Sequence, residues 1–254
     1  VVMEAAAKNL TPVTLELGGK SPVIVDETAN IRLAARRIAF GKVTNAGQTC
    51  VAPDYLLIHS KVKDKFITEY KRALQKFFPD NDMSRMVTII SAKHYERLKN
   101  LLTDGRTILG GHFDDERRFI EPTLIDGVSL SAPIMKEEIF GPLLPLITYD
   151  NLDECIEIIR SLPKPLALYI FSENRKNIRK VLNACSFGGG CINDTILHLA
   201  NPRLPFGGVG ESGMGSYHGK KSFETFTHYR SVFKQSSKID IPIRYMPYTE
   251  KKLR

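Results

Sequence analysis

Cys50 is where a chemical reading of this sequence begins. It closes the segment Phe40-Gly-Lys-Val-Thr-Asn-Ala-Gly-Gln-Thr-Cys50-Val-Ala-Pro, in which a helical pattern gives way to Thr44, Asn45, Gly47, Gln48 and Thr49. Small and polar neighbours leave room at the sulfur and let the backbone turn tightly. A thiol that acts as a nucleophile needs that access, together with stabilisation of its thiolate. A buried structural cysteine is the commoner fate of the residue type, and both readings stand at this point. Glu16 ends an apolar stretch in Val13-Thr-Leu-Glu16-Leu-Gly-Gly19. A carboxylate at a strand end beside a Gly-Gly turn can face a cleft, where desolvation raises its pKa toward the range of a general base. A half-exposed strand residue explains it equally. A third segment, Met135-Lys-Glu137-Glu138-Ile-Phe140-Gly-Pro142, sets two acids before an aromatic and a Gly-Pro stop. As a ligand site, Glu138 would accept hydrogen bonds from ribose hydroxyls and Phe140 would line an apolar slot; as a plain loop, it leads into the next strand.

Other patterns match motifs in letter only. Gly208-Val-Gly210-Glu-Ser-Gly213 has the spacing of a dinucleotide fingerprint, but that motif needs a preceding strand and a βαβ unit. Here it follows Asn201-Pro-Arg-Leu-Pro-Phe206, which cannot be a central strand. Gly219-Lys220 has no glycine at P-loop spacing upstream, and Lys221 stands where Ser or Thr is required. Gly210-Glu-Ser212-Gly-Met fails the nucleophile-elbow pattern at its last position. The six histidines contain no HxxxH pair, and Cys50, Cys155, Cys185 and Cys191 fit no zinc spacing. No metal site is expected.

The elements that must position these residues are legible from composition and periodicity. The chain has 254 residues, 43% hydrophobic and 25% charged, which excludes disordered, collagenous and coiled-coil classes. No apolar run approaches the ~18 residues of a membrane span, so no transmembrane segment is expected. The net charge is +8, and residues 217–254 hold nine Lys/Arg against three acids. Without a dense basic run, that tail reads as solvated or subunit-packing rather than as a nucleic-acid or membrane site. Four cysteines without a framework, and no visible secretory signal, make a reducing, cytoplasmic setting the expectation. Three of the four read as small core residues.

Strand-like stretches at 13–17, 22–26, 55–59, 119–125, 143–149, 166–172 and 191–193 alternate with helical patterns at 1–9, 30–38, 61–78, 91–102, 152–162 and 174–184. Asn30 reads as a helix cap. The alternation predicts an α/β fold: a largely parallel sheet with flanking helices. The chain opens with Val inside an uncapped helical pattern, so a cut within that helix is expected.

Taken together, four stretches resemble the aldehyde dehydrogenase superfamily: LELGGKSP (Leu15–Pro22), the FGKVTNAGQTC stretch ending at Cys50, KEEIFGP (Lys136–Pro142) and LPFGGVGESGMG (Leu204–Gly215). They occur in the family's order. SYHGKKSFETFTH (Ser216–His228) and the IPIRYMPYTEKK tail are similar to its class 3 branch, associated with medium- and long-chain aliphatic and aromatic aldehydes. The resemblance implies NAD- or NADP-dependent oxidation of aldehydes to carboxylic acids. It makes Cys50 the nucleophile, giving a thiohemiacetal and then a thioester, with its own N–H as half of the oxyanion hole. It makes Glu16 the base that activates water, and it places Leu17, Glu138 and Phe140 at the nicotinamide end of the cofactor. Asn193 and the 204–215 loop would shape the wall.

The resemblance also implies a cofactor-binding domain ahead of LELGGK, so the expected divisions are 1–20 as a remnant of that domain with a linker strand, 21–206 as the catalytic domain, and 207–254 as a returning segment and tail. A chain without most of that domain would be inactive as a dehydrogenase. A small-molecule aldehyde substrate and a homodimer are the implied partners. Three alternatives remain: an acylating or reductase member of the superfamily, against which Glu16 argues, a non-catalytic binding or structural protein on the same fold, and a thiol hydrolase, against which the lack of a His near Cys50 in sequence argues.

Overall fold

The computed structural model describes residues 1–250. Its centre is a seven-stranded sheet that reads, from edge to edge, β10 (Gly189–Ile192), β9 (Ala167–Phe171), β2 (Pro22–Val25), β3 (Tyr55–His59), β8 (Leu143–Tyr149), β7 (Thr123–Asp126) and β4 (Arg106–Leu109). All neighbouring pairs are parallel except β4 with β7. The α/β architecture with a largely parallel sheet is therefore the one the alternation predicts. The strands are near-continuous apolar runs because both faces are covered.

Side chains alternate between the two faces. Val23, Val25, Leu56 and Ile58 pack with Ile31, Ala34, Ala35 and Ile38 of α2 (Ile31–Val43) and with Phe66, Tyr70 and Leu74 of α3 (Lys63–Phe77). Ile24, Leu57 and Ile170 face the other way, into a core shared with α4 (Ala92–Leu101), α5 (Leu152–Ser161) and α6 (Arg175–Ala184). Asn30, Ser91, Asn151 and Asn174 each accept a backbone N–H at a helix start, satisfying donors that the first turn leaves open.

Several expected elements differ. The strand read at 13–17 shrinks to β1 (Leu15–Glu16), which leaves the main sheet and pairs antiparallel with β11 (Gly213–Met214). The stretch 119–125 is two pieces, β6 (Phe119–Ile120) and β7, because Pro122 lacks the N–H that a continuous ladder needs. β6 pairs with β5 (Phe113–Asp114), and neither β5 nor the antiparallel edge β4 is visible in the hydropathy pattern. The remaining helices are short: α1 (Val2–Ala7), with no buried residue, and α7 (Gly219–Thr225). Gly208–Gly213 forms no strand-to-helix turn; it ends in a single 3-10 turn at Gly210–Ser212. Among the described residues no helix is long and apolar enough to cross a membrane, and no group of His, Cys, Asp and Glu is arranged to hold a metal ion.

Candidate active site

The three chemically suggestive segments converge because each one feeds an adjacent parallel strand. Glu16–Lys20 leads into β2, Cys50–Asp54 into β3, and Glu138–Pro142 into β8, and these strands lie side by side in the order β2-β3-β8. The site therefore sits at the amino-terminal edge of the sheet, opposite the carboxyl edge at which open α/β sheets usually bind ligands. The convergence lines an open cleft of about 680 Å³ with Glu16, Leu17, Gly18, Asn45, Gln48, Thr49, Cys50, Glu138 and Phe140. All five sequence-predicted site residues are among them.

The turn before Cys50 owes its shape to a left-handed run. Asn45, Ala46 and Gly47 have φ of 51°, 53° and 70°. Gly47 is required there: a Cβ would lie 2.2 Å from the Gly141 carbonyl oxygen. Two side chains lock the run. Asn45 Nδ2 donates to Gln48 O (2.8 Å), while buried Gln48 donates to Asn45 O and Thr88 O (3.1 Å each) and accepts from Ile90 N (3.0 Å). The polar residues ahead of Cys50 thus tie the turn together as well as leaving space at the sulfur. Tyr169 Oη donates to Val51 O at 2.6 Å and fixes the other side.

Cys50 is half-buried, and its thiol is pushed up to about 12. Burial is the largest cause, followed by the neighbouring Glu16 and then by the charge of Glu138; the Cys50 backbone acts in the opposite direction. The resting sulfur is therefore a thiol. Glu16 is held in turn by Gly18 N, which donates to Oε1 at 3.1 Å, and by the pairing of β1 with β11. Leu17 projects beside it, 59% exposed. Cys155 and Cys185 are buried, as expected of core cysteines, but Cys191 is only half-buried and its Sγ lies 3.6 Å from His198 Nδ1. The strand pattern gave no sign of this, because β10 is an edge strand.

Glu138 folds back over the Gly18-Gly19 turn. A Cβ at Gly18 would lie 2.6 Å from Glu138 Oε2, so this close approach also depends on glycine. Burial, with the Asp54 and Glu16 charges behind it, raises the Glu138 carboxyl to about 8, against the pull of Gly19 N–H and Lys20. Phe140 follows at a φ of 50°, a strained value for an aromatic residue. His94 Nε2 donates to its carbonyl at 2.9 Å, and Arg97 donates to the carbonyls of Glu138 (3.3 Å) and Ile139.

Asn193 does not line the cleft. Its amide accepts from Ser172 N (2.9 Å) and donates to Ser172 O (3.1 Å), so it braces β9 against β10. Lys20, Asp54 and Lys42 are buried charged residues that the chemical reading missed. Lys20 and Asp54 form an ion pair; Lys42 Nζ donates to Pro53 O at 2.8 Å, and burial lowers Lys42 to about 8. The available signal was a charged residue immediately before, or within, each apolar run.

The chemistry of the lining suits a nicotinamide ring and its ribose: exposed Leu17 and the Phe140 ring offer apolar walls, and the Glu138 carboxyl offers a polar group for hydroxyls. Comparison with known proteins points the same way. The aldehyde dehydrogenase family profile matches residues 1–232. The 4,4'-diaponeurosporen-aldehyde dehydrogenase of Staphylococcus aureus is 55% identical over 258 residues, which cover 99% of this chain and 56% of that protein. The dimeric, NADP-preferring aldehyde dehydrogenase of Rattus norvegicus is 49% identical, over 93% of this chain and 52% of the relative. A solved substrate-bound state of Staphylococcus aureus AldH superimposes with a TM-score of 0.94 at 54% identity, covering 98% of this chain and 56% of that one. The chain thus spans about half the length of the relatives it matches.

Proposed function

The chain belongs to the aldehyde dehydrogenase family, and on that premise we propose that it carries the cysteine chemistry by which an aldehyde is oxidised to a carboxylic acid. The observation that supports this best is that Cys50 and Glu16 stand together on the wall of one open cleft. The proton of Cys50 passes to Glu16 as the sulfur attacks the aldehyde carbon, giving the thiohemiacetal oxyanion. When bound, NAD or NADP supplies a hydride acceptor. A thioester then remains on Cys50. Glu16, having lost its proton to solvent, takes a proton from water, and the resulting hydroxide adds to the thioester carbon. Collapse releases the carboxylic acid and returns the Cys50 thiol. Leu17 and Phe140 would bracket the nicotinamide, and Glu138 would take its ribose hydroxyls.

In this reading residues 21–206 are the catalytic unit, 1–20 lead into it and 207–254 return to it. Medium- or long-chain aliphatic and aromatic aldehydes are the proposed substrates. The four free cysteines suit a cytoplasmic setting. A homodimer is proposed from the apolar side chains exposed after α7, and one relative is itself named as dimeric. The position of Glu16 favours hydrolysis over acyl transfer to a second thiol.

Rapid mixing of the full-length protein with aldehyde and dinucleotide tests the assignment. Cys50→Ala should give no reduced dinucleotide even in a single turnover. Glu16→Gln loses both proton transfers, so the first turnover should slow and the thioester that forms should stay undischarged, giving no steady turnover. Wild-type turnover by Glu16→Gln would place the base elsewhere.

A further inference from the structure

We propose that Lys20 and Asp54 form a buried clamp that fixes the Glu16 loop, the Cys50 turn and the 134–140 loop in one arrangement, which makes both of them positioning residues; the inference rests on the reading of Cys50 and Glu16 given above. Lys20 lies four residues after Glu16, and Asp54 lies four residues after Cys50. They stand at the amino ends of β2 and β3, which pair in register from Pro22 and Tyr55. Their ion pair joins the two segments directly.

The third segment hangs on the same pair. Lys20 Nζ donates to Asp54, to Ile134 O at 2.7 Å and to Glu137 O at 3.0 Å, which uses all three of its N–H groups. The second oxygen of Asp54 accepts from Ile139 N at 2.8 Å. Glu138 is therefore flanked on both sides by backbone atoms tied to one ion pair. Lys20 and Asp54 are 7% and 3% exposed. A buried pair of this kind adds little net stability, since well-packed apolar residues serve as well. What an apolar pair could not supply is direction: it has nothing to offer two carbonyls and an N–H of a loop that must turn through a strained Phe140. The chemical steps proposed above use neither residue. The field at Glu138 comes partly from the same two groups, Asp54 raising its carboxyl and Lys20 opposing.

The test uses this chain and two variants. Asp54→Asn keeps the size but cannot serve both Lys20 and Ile139. Lys20→Met/Asp54→Leu removes both charges together and spares the fold where a one-sided loss does not. Amide hydrogen exchange and Cys50 alkylation by iodoacetamide are measured on each, beside the thermal midpoint. In the double variant the midpoint should stay near wild type, while exchange in 134–140 accelerates roughly tenfold or more and exchange in β2 and β3 does not change. Cys50 alkylation at pH 8 should rise several-fold as the Cys50 turn and the Glu16 loop lose their shared anchor. The proposal is overturned if exchange in 134–140 and Cys50 alkylation both match wild type, or if exchange rises evenly through β2, β3 and β8. Neither readout requires aldehyde oxidation. Full activity of Cys50→Ala in the full-length protein would instead remove the functional reading and leave the clamp standing.

Discussion

Cys50 and Glu16 line the same cleft, and the Glu16 carboxyl is itself held by the backbone N–H of Gly18. Their proximity has two opposed effects. It raises the energy of a thiolate at rest, and it places a proton acceptor where the thiol must lose its proton. The cysteine is therefore kept protonated until a substrate makes the transfer favourable, which protects it from adventitious oxidation.

The alkylation rate should report this directly. With the thiol pushed up to about 12, the iodoacetamide rate at Cys50 should climb about tenfold per pH unit from pH 7 to pH 10 without a plateau. Glu16→Gln removes the nearest negative charge and should raise the rate at pH 8 by roughly 3–10-fold. Half-buried Cys191 should label detectably, and buried Cys155 and Cys185 should label last. Peptide mapping after brief alkylation at several pH values checks all of this; a plateau for Cys50 near pH 8 would contradict the raised thiol.

Glu138 predicts a pH dependence of stability. Its folded pKa of about 8 lies above its ordinary value of 4.5. Between those values the native state holds a proton that the unfolded chain has released, so stability falls as pH rises through that window. Glu138→Gln removes the contribution. Relative to wild type the variant should gain stability between pH 5 and pH 9, by an amount on the order of 2 kcal/mol after allowance for the partial exposure of the group. Urea unfolding at the two pH values measures it. An unchanged difference would mean that Glu138 is ionised throughout.

Much of this arrangement is legible in the residue order, for a physical reason. Each chemically suggestive segment immediately precedes an apolar run, and in a parallel sheet every such run starts at the same edge. Cys50, Glu16 and Glu138 were therefore bound to meet once their strands became neighbours. The neighbour order itself, with β2 between β9 and β3, depends on contacts far apart in sequence and leaves no local mark. The same holds for the pairing of β1 with β11: Val13–Leu17 looks like a sheet strand, and only the approach of Gly213 draws Glu16 aside. The two-residue strand β5 and the irregular edge β4 carry no periodicity to read. Lys20 and Lys42 escape notice because a lysine reads as surface until its partners are placed, and those partners are Asp54 and backbone carbonyls brought in by the fold.

Gly47 should tolerate no side chain. Its φ of +70° is costly for an L-residue, and its Cβ would collide with the Gly141 carbonyl. Gly47→Ala should lose roughly 2–4 kcal/mol from strain and the forced shift of the 140–142 backbone. Because Gly141 belongs to the Glu138 loop, Cys50 alkylation should change as well. Gly127, also at positive φ but with open space around its Cβ position, is the control: Gly127→Ala should cost only about 1 kcal/mol. Equal losses at the two sites, measured by urea unfolding, would show that the contact with Gly141 costs nothing.

The tail predicts association. After α7 the chain exposes Phe226, Tyr229, Val232 and Phe233 at 78%, 67%, 80% and 83%, beside Phe223 on the helix itself. Apolar side chains this exposed and this close together are unusual on a monomer surface and favour a covered state. The segment is also basic, with Lys220, Lys221, Arg230 and Lys234 among them, so a covering surface must accommodate charge at its rim, as subunit interfaces do. The chain should therefore self-associate at micromolar concentration, as measured by light scattering. Phe226→Ser/Phe233→Ser should shift it toward monomer without lowering the thermal midpoint of the sheet, because neither ring packs in the core. High salt should leave the association intact or strengthen it, since salt screens the basic side chains while apolar burial persists. Dissociation at high salt would instead assign the contact to charge, and a monomer at high micromolar concentration would remove the homodimer from the reading.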